Sequence, residues 1–464
     1  MEPLTLTRIA QLANGRLVQG DGNGIVRRVS TDSRTLQPGD LFVPLRGENF
    51  DGHKFVAQAG ERGAVGAMVE ESWKGAAPDT FALIRVPDTL AGYQTLAANY
   101  RKSLPLKVVV ITGSNGKTST KDFVAATLSR GFRVTKTEGN FNNHVGLPQT
   151  MLAALVSDEI AVWEIGMNHP GEIAALSKLA APDVGIITNV GLAHIEFMGS
   201  REAIAVEKGA LAEAVEANGT VILNADDPHS RGIAERTRAK VILAGIENGF
   251  VHATEVTQSS SGCEFTILEG AHRCRAQLPV PGIHMVQNAM LAVAAGRAFG
   301  LSLEECAAGL ASTPLTKARL QIKEINGIRF IDDSYNANPD SMKAALRTLV
   351  ELDTDGRRVA VLGQMSELGE ESERGHREVG EAAAAFGIDE LIAVGATGAE
   401  IARAARQAGL RKSTSVQEAE EAAERLGETA SPGDLILVKG SRSARMERVL
   451  EAFSKRRSTA EATP

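Results

Sequence analysis

The sequence predicts an α/β protein built from three domains, and three observations support that prediction. A short β-branched run at 108–112 leads through a glycine-containing turn into a helix-forming segment. Apolar strand-like runs then alternate with helix-forming segments, and a second alternation of the same kind follows. Such alternation is typical of parallel strands joined by crossover helices. We expect a small mixed α/β domain at 1–104, a central phosphate-loop-type parallel-sheet domain at 105–315, and a Rossmann-like α/β domain at 316–456.

The N-terminal hundred residues have a mixed pattern. Strand-like pieces at 40–44 and 64–69 alternate with glycine-rich turns. The segment 102–107 reads Lys-Ser-Leu-Pro-Leu-Lys, and its proline disfavours helix at the residue before it. This segment is therefore predicted to link the first domain to the second.

The central and C-terminal domains each contain four candidate strands. They are 108–112, 160–164, 184–189 and 220–224 in the central domain, and 329–331, 359–362, 391–394 and 435–438 in the C-terminal domain. The central runs are apolar on both faces, as a sheet covered on both sides requires. Residues 457–464 are polar, and we expect them to be flexible.

Composition narrows the classes of protein to consider. The chain has 464 residues, with 50 basic and 57 acidic side chains, and its net charge of −7 argues against nucleic acid as the main partner. Its three cysteines show neither metal-binding nor redox spacing, which fits a reducing compartment. There is no signal-peptide pattern, and no apolar run approaches the ~20 residues that span a bilayer. We expect a cytoplasmic monomer without a membrane span.

The most informative stretch is 108–118, which reads Val-Val-Val-Ile-Thr-Gly-Ser-Asn-Gly-Lys-Thr. Gly113 and Gly116 let backbone N–H groups approach an anion at the positive end of a helix dipole. Lys117 can reach the outer phosphates of a nucleotide, and Thr118 can offer its hydroxyl to Mg²⁺. The first glycine of the standard loop is absent, so we expect a tighter turn. The alternative is an ordinary strand-to-helix corner, but the context favours ATP or GTP binding.

Two polar residues lie where parallel strands end. Glu164 closes the apolar run 160–164, and a carboxylate there is costly unless it meets a cation. His194 follows the next strand along the chain, and ligands bind beyond the carboxyl ends of parallel strands. The alternatives are a surface acid and a structural histidine, but the shared edge favours a metal role for both.

Lys208 lies on the apolar stripe of a predicted helix. Ser200 is the expected N-cap, and Lys208 falls between Ile204 and Leu211 at helical spacing. Its amine could extend outward to solvent. It could instead be desolvated, which lowers its pKa and makes it reactive. Spacing alone does not decide between these readings.

Other polar residues also follow predicted strands or open helices. Asp226 and Asp227 follow the strand at 220–224, and we expect them to cap the next helix rather than contact a nucleotide. Asn288 lies near the start of a helix, where a buried amide can read an adenine edge. The loop 332–341 is polar and turn-forming, and the alternative to a functional role is that Asp340 caps the following helix.

At this point the chain resembles the Mur ligase family over nearly its whole length. The family's nucleotide loop corresponds to 112–118, and its lack of the first glycine is normal for that family. Further matching strings lie at 139–143, 164–173, 333–339, 363–369 and 438–443, and the N-terminal strings at 31–34, 38–40 and 51–53 resemble the family's UDP-binding domain. The strings at 139–143 and 164–173 favour a member that adds a dipeptide. Position 364 is Gln where the family pattern suggests Asp, which puts only local contacts in doubt.

The resemblance implies an ATP site and a magnesium site. The ATP ligands would be Thr112, Gly113, Ser114, Asn115, Gly116, Lys117 and Thr118, with Asn288 and Tyr335 at adenine and Arg319 and Asp333 at ribose or phosphates. One Mg²⁺ would be held by Thr118 and Glu164, and a second by His194. Lys208 corresponds to the lysine that family members carry as a carbamate, a further oxygen ligand for Mg²⁺. Lys117, Glu164, His194 and Lys208 are the expected catalytic set.

The resemblance also implies two organic substrates. Ser33, Arg34 and Asn49 would hold the UDP end of UDP-N-acetylmuramoyl-tripeptide, with Asn140, Asn142 and Asn143 also contacting substrate. The C-terminal domain would supply a pocket for D-alanyl-D-alanine, whose residues the sequence does not identify. The implied reaction activates the terminal carboxylate as an acyl phosphate, which the dipeptide amine then attacks.

Four other functions share part of this pattern. A GTPase-like switch predicts an Asn-Lys-x-Asp string after a strand, and the chain has none. A phosphotransferase would need no amine acceptor. The closest alternatives are a related Mur ligase that adds one amino acid, meso-diaminopimelate or lysine, and a folate-type polyglutamate ligase.

Overall fold

The computed structural model describes residues 1–314 and 316–460, and it confirms an α/β fold with three main sheets. We call each sheet with its helices a unit: the N-terminal, central and C-terminal units have five, nine and six strands. The predicted boundary between the second and third domains falls at residue 315, outside the described residues. The domain limits therefore stay predictions.

The N-terminal unit is a small mixed sheet. Its strands, in spatial order, are Arg16–Gln19, Ala82–Val86, Gly66–Glu70, Asp40–Phe42 and Arg28–Ser30, and only the first pair is antiparallel. Two short pairs, Leu4–Thr5 with Ile25–Val26 and Arg46–Gly47 with Phe50–Asp51, flank it. The helices are Leu6–Leu12, Val56–Glu61 and Thr89–Lys102, with 3₁₀ turns at Ser33–Thr35 and Gly52–Phe55. The longest helix begins where Asp88 accepts the N–H of Ala91, and it ends at Lys102, the first residue of the predicted linker.

The central unit contains the four predicted parallel strands and five further strands that were not predicted from the sequence. Its strands, in spatial order, are Val134–Lys136, Ile160–Glu164, Lys107–Thr112, Val184–Ile187, Thr220–Asn224, Lys240–Ile246, Val251–Ser259, Gly262–Glu269 and His272–Leu278. The first seven strands pair in parallel. The last two are added by antiparallel pairing, Gly262–Glu269 with Val251–Ser259 and His272–Leu278 with Gly262–Glu269. The helices are Lys117–Leu128, Gly146–Ala153, Glu172–Ala180, Ile195–Met198, Arg201–Ala214, Ser230–Ala234, Ile283–Ala298 and Leu303–Ala311.

The C-terminal unit is a second parallel sheet with one antiparallel edge. Its strands, in spatial order, are Gln321–Ile325, Ile328–Asp333, Leu435–Lys439, Arg358–Gly363, Glu390–Val394 and Ser413–Val416. The helices are Pro339–Glu351, Ser372–Ala385, Ala399–Gln407, Ala419–Thr429 and Glu447–Ala460, with 3₁₀ turns at Gly369–Glu371 and Arg442–Ala444. The first four residues of the predicted flexible end segment continue the last helix, and 461–464 lie outside the described residues.

Strand register brings the predicted site residues to one edge of the central sheet. The strand cores are fully buried, and Ile111 lies opposite Glu164 while Thr112 lies opposite Ile187. The phosphate loop, the end of strand Ile160–Glu164 and the loop that carries His194 therefore emerge side by side. None of the described helices combines the length and the apolar character needed to cross a bilayer.

Candidate active site

A cleft of about 840 Å³ lies between the carboxyl edges of the central and C-terminal sheets. It is lined by loops that follow the strands Lys107–Thr112, Ile160–Glu164, Val184–Ile187, Ile328–Asp333, Arg358–Gly363 and Leu435–Lys439. Both walls are thus built from strand ends, the position at which open parallel sheets bind ligands. We call this space the main cleft.

The phosphate loop has the backbone that its glycines predict. Gly116 has φ 77° and precedes helix Lys117–Leu128 without any side-chain cap, so the N–H groups of the first turn face the cleft. A Cβ on Gly113 would lie 1.8 Å from the hydroxyl of Thr188, so only glycine fits there. Lys117 Nζ donates to the Gly113 carbonyl at 2.8 Å. Burial lowers the pKa of Lys117, with Glu164 acting in the opposite direction.

Thr118 and Glu164, predicted to share a magnesium ion, are in direct contact. Thr118 Oγ1 donates to Glu164 Oε2 at 2.9 Å, and Asn142 Nδ2 donates to Glu164 Oε1 at 2.8 Å. Glu164 is only 3% exposed and meets only neutral donors at hydrogen-bond distance among the described residues. A buried carboxylate with a neighbouring hydroxyl is a donor set that suits a hard divalent cation. Within residues 1–314 and 316–460, no cluster of three His, Cys, Asp or Glu side chains could hold a metal alone.

His194 lies on the cleft wall, and a C-terminal residue contacts it. His194 has φ 60°, and its Nδ1 lies 2.6 Å from Oε2 of Glu367. The contact is short but not aligned as a hydrogen bond. The histidine ring lowers the pKa of the Glu367 carboxyl.

Lys208 is buried beneath the cleft rather than lining it. The helix that carries it begins at Ser200, whose hydroxyl accepts the N–H of Ala203, so the predicted cap is confirmed. Lys208 is 1% exposed, and its amine has no hydrogen-bond acceptor among the described residues. Burial, followed by the charge of Lys117, lowers the pKa of Lys208 well below its ordinary value. The desolvated alternative is the one that the structure supports, and outward extension to solvent is wrong.

The residues predicted for adenine, ribose and phosphates line the main cleft together. Asn288 is buried against the phosphate loop, where its amide lies beside Gly116. The guanidinium of Arg319 lies 4.2 Å from the ring centroid of Tyr335, a cation–π contact. Asp333 Oδ2 accepts a hydrogen bond from Lys439 at 2.5 Å.

The predicted substrate residues divide into two groups. Asn140, Asn142 and Asn143 line the main cleft, although Asn142 contacts Glu164 and Asn143 accepts the N–H of Gly146.

Ser33, Arg34 and Asn49 lie on the N-terminal unit and do not line the main cleft. Arg34 is exposed and pairs with Asp32 at 2.8 Å. A separate cavity of about 310 Å³ lies between this unit and helix Gly146–Ala153, and its lining includes Thr31 and Asp32.

Several residues of the C-terminal wall were not predicted from the sequence. Lys439 donates to both Asp333 and the Asn336 carbonyl and is 2% exposed. The sequence did indicate Lys439 as a candidate site residue, because this lysine ends an apolar strand as Glu164 does. A hydroxyl cluster also faces the cleft: Ser366 lies 2.7 Å from Ser443 and 3.2 Å from Ser441.

The alternative in which Asp340 caps the helix after the loop 332–341 is wrong. Asn338, not Asp340, caps helix Pro339–Glu351, because its side chain accepts the N–H of Ser341. Asp340 instead accepts the N–H of Leu192 at 3.0 Å, across the cleft.

The two acidic residues after strand Thr220–Asn224 mainly accept hydrogen bonds from other loops, whereas they were predicted to cap the next helix. Asp227 accepts the N–H of His229, which precedes a short helix, but its other oxygen binds the N–H of Val190. Asp226 accepts from Ile246 and Gln287 instead of capping a helix.

Comparisons with known proteins agree with one another. Models of the Mur ligase middle domain, the Mur ligase glutamate ligase domain and the Mur ligase family catalytic domain match residues 111–296, 318–442 and 25–94. The chain is 40% identical over 450 residues to the UDP-N-acetylmuramoyl-tripeptide–D-alanyl-D-alanine ligase of Bacillus subtilis, covering 96% of this chain and 97% of that one. A crystal structure of MurF from Acinetobacter baumannii matches with a TM-score of 0.90 at 34% identity, covering 98% and 99% of the two chains. MurF ligase from Thermotoga maritima in complex with ADP matches with a TM-score of 0.82 at 29% identity, covering 94% and 99%.

Proposed function

This chain belongs to the Mur ligase family, as its motifs predicted, and we propose that it joins D-alanyl-D-alanine to UDP-N-acetylmuramoyl-tripeptide. ATP supplies the free energy, the products include ADP and phosphate, and the ligated nucleotide is a peptidoglycan precursor. The observation that carries the proposal is that a nucleotide-binding edge and a hydroxyl-lined edge face each other across the main cleft. The relative from Bacillus subtilis is named for the dipeptide, which disfavours addition of meso-diaminopimelate or lysine alone.

The phosphate loop and its neighbours suit ATP activation of a carboxylate. Lys117 and the first-turn N–H groups would hold the outer phosphates. Thr118 and Glu164 would hold one Mg²⁺ and His194 a second. When bound there, Mg²⁺ offsets the charge repulsion between the phosphates and the incoming carboxylate. Support comes from the buried carboxylate–hydroxyl contact at 2.9 Å.

Lys208 fits the carbamate that the family resemblance implied. Its amine is buried, has no acceptor among the described residues and has a lowered pKa. A neutral amine can attack CO₂, forming a C–N bond and releasing one proton to water. The product carboxylate would bring negative charge to the floor of the cation site.

The reaction consists of two substitutions. The terminal carboxylate of the tripeptide attacks the γ-phosphorus of ATP, and ADP leaves. The amine of D-alanyl-D-alanine then attacks the acyl carbon, phosphate leaves with the C–O bond electrons, and the amine loses a proton. The acyl phosphate hydrolyses readily, so the two walls of the cleft must exclude water.

The organic substrates are assigned to the remaining surfaces. Ser33, Arg34 and Asn49 would hold the UDP end, next to the cavity lined by Thr31 and Asp32. Asn140 and Asn143 would contact the peptide. The hydroxyl cluster of Ser366, Ser441 and Ser443 offers three hydroxyl groups for the dipeptide carboxylate. A monomeric state and a cytoplasmic location stay predictions.

Acceptor-dependent phosphate release tests the function. Purified protein is given ATP, Mg²⁺ and the UDP-tripeptide, with D-alanyl-D-alanine, meso-diaminopimelate, L-lysine or glutamate added or withheld. We expect sustained phosphate release only with the dipeptide, and a product whose mass equals both substrates minus water. Preference for a free amino acid would instead identify a sibling ligase, and release that ignores every acceptor would indicate a phosphotransferase.

A further inference from the structure

The loop that carries His194 contacts the C-terminal unit next to the main cleft. His194 Nδ1 and Glu367 Oε2 lie 2.6 Å apart, and the Glu367 carbonyl accepts the N–H of Glu196 at 3.3 Å. A Cβ on Gly369 would come within 3.0 Å of the Glu196 side chain, so the two loops pack closely. Both the side chain and the backbone of Glu367 therefore contact one short segment of the central unit.

Both members of the His194–Glu367 pair have an uncommon backbone conformation. His194 has φ 60° and Glu367 has φ 61°, and neither is glycine. Non-glycine residues adopt this left-handed region rarely, and such residues cluster at functional sites, where the surroundings hold them in place. Two such residues in contact across two units indicate a functional contact rather than an incidental ion pair at the surface.

The contact leaves a defined role for each nitrogen of the histidine ring. Nδ1 is buried and has Glu367 as its closest polar contact among the described residues. Nε2 forms no hydrogen bond within the described part of the chain, and His194 lines the main cleft together with Glu367. The negative charge of a carboxylate 2.6 Å away favours the tautomer with its proton on Nδ1, although the contact is not aligned as a hydrogen bond. That tautomer leaves Nε2 free to bind a ligand.

We propose that Glu367 is a positioning residue that prepares His194 Nε2 for its ligand only when the C-terminal unit closes on the central unit. This inference rests on the proposed function, because His194 was assigned there to a Mg²⁺ ion. Because Glu367 belongs to the C-terminal unit, His194 would lose this partner if the two units moved apart. The enzyme would thereby delay completion of its cation site until the dipeptide-binding wall is in place, which limits wasteful hydrolysis of ATP.

The competing explanation is an ordinary exposed ion pair. The Glu367 side chain is 43% exposed, and exposed pairs contribute little to stability. That explanation predicts no change in the ring tautomer and no change in the Mg²⁺ requirement when Glu367 is replaced. The two explanations therefore differ in measurable ways.

The test compares Glu367→Ala and Glu367→Gln with Glu370→Gln, a matched control in the same loop. Glu370 is exposed, and no ion pair of its carboxylate is seen among the described residues. The first readout needs no turnover: ¹⁵N NMR of histidine-labelled protein with a non-hydrolysable ATP analogue, without metal. The His194 signal is assigned by its loss in His194→Gln. The second readout is the Mg²⁺ concentration that gives half-maximal phosphate release.

We expect wild-type protein and Glu370→Gln to carry the His194 proton on Nδ1, whereas Glu367→Ala moves it to Nε2. The half-maximal Mg²⁺ concentration should rise about 10- to 100-fold in Glu367→Ala, the range for losing a partner of a histidine ligand. Glu367→Gln, which keeps an acceptor oxygen without the charge, should lie between.

Other outcomes overturn the proposal. An unchanged tautomer overturns it, and so does a changed tautomer with an unchanged Mg²⁺ requirement. An equal loss in the Glu370→Gln control would mean that the loop is merely structural. If wild-type protein released phosphate without the dipeptide, the proposed function would fail. The NMR readout would still decide whether Glu367 determines the tautomer of the His194 ring.

Discussion

Replacing Gly116 with alanine tests whether Asn288 reads the adenine base. At Gly116 φ is 77°, and a Cβ would lie 2.6 Å from both Nδ2 and Oδ1 of Asn288, where ordinary contact begins at 3.4 Å. The left-handed backbone alone should cost alanine about 1–2 kcal/mol. The methyl group should also displace the Asn288 amide. If that amide gives the base two hydrogen bonds of about 0.5–1.5 kcal/mol each, their loss weakens ADP binding roughly 5- to 150-fold.

Calorimetric titration with ADP and inosine diphosphate separates the two effects. Inosine diphosphate has an oxygen where ADP has the amino group, so wild-type protein should prefer ADP and Gly116→Ala should lose that preference. Gly300→Ala is the matched control, because Gly300 has φ 87° and no heavy atom lies within 4 Å of its would-be Cβ. The control should lose stability but keep both affinities. Full ADP preference in Gly116→Ala would refute base reading by Asn288.

Three further predictions concern the cation site and closure of the cleft. Lys208→Met should abolish ligation yet raise Tm at neutral pH, because burying an unpaired amine is costly. A lower Tm would mean that the folded protein stabilises the amine. Burial lowers the pKa of Lys208 in the folded protein below 10.5, so between the folded pKa and pH 10.5 the unfolded chain binds more protons than the folded one. In that pH range the stability of the wild-type protein should rise with pH. The Tm advantage of Lys208→Met should therefore shrink as the pH rises. Glu164→Gln should weaken Mg²⁺ binding to the ADP complex roughly tenfold or more by calorimetry, and unchanged affinity would remove Glu164 from the cation site. Gly191→Ala would place a Cβ 2.6 Å from Asp340 Oδ2 and should lower kcat/KM for the dipeptide about 5- to 150-fold, whereas normal kinetics would show that the Asp340–Leu192 contact is dispensable.

The inner strands of the two parallel sheets were predictable because they carry a strong local signal. The run Ile160–Glu164 is apolar until its last residue, so both the strand and the position of its carboxylate follow from the sequence. The same holds for Lys117, since a glycine-containing turn before a helix needs only a few neighbouring residues to be read. Three parallel strands were not predicted: Val134–Lys136, Lys240–Ile246 and Val251–Ser259. The antiparallel strands Gly262–Glu269 and His272–Leu278 were also missed, although Gly262 and Gly270, both with positive φ, mark their turns.

Contacts between distant segments could not be predicted from one sequence. Lys439 meets Asp333 because strands Leu435–Lys439 and Ile328–Asp333 are neighbours in register, which depends on strand order rather than on local pattern. The contact of Asn142 with Glu164 likewise depends on how a loop folds back. Asp340 fits the local pattern of a helix cap, and only the approach of the two units shows that it binds the Leu192 N–H instead.

Transfer of ¹⁸O gives the most direct test of carboxylate activation in the main cleft. UDP-N-acetylmuramoyl-tripeptide labelled with ¹⁸O in its terminal carboxylate is turned over with ATP, Mg²⁺ and D-alanyl-D-alanine, and the released phosphate is analysed by mass spectrometry. If the carboxylate attacks the γ-phosphorus, each phosphate from fully labelled substrate carries one ¹⁸O atom, and the peptide product keeps the other. Phosphate without label, formed at the same rate as the ligated product, would contradict an acyl phosphate.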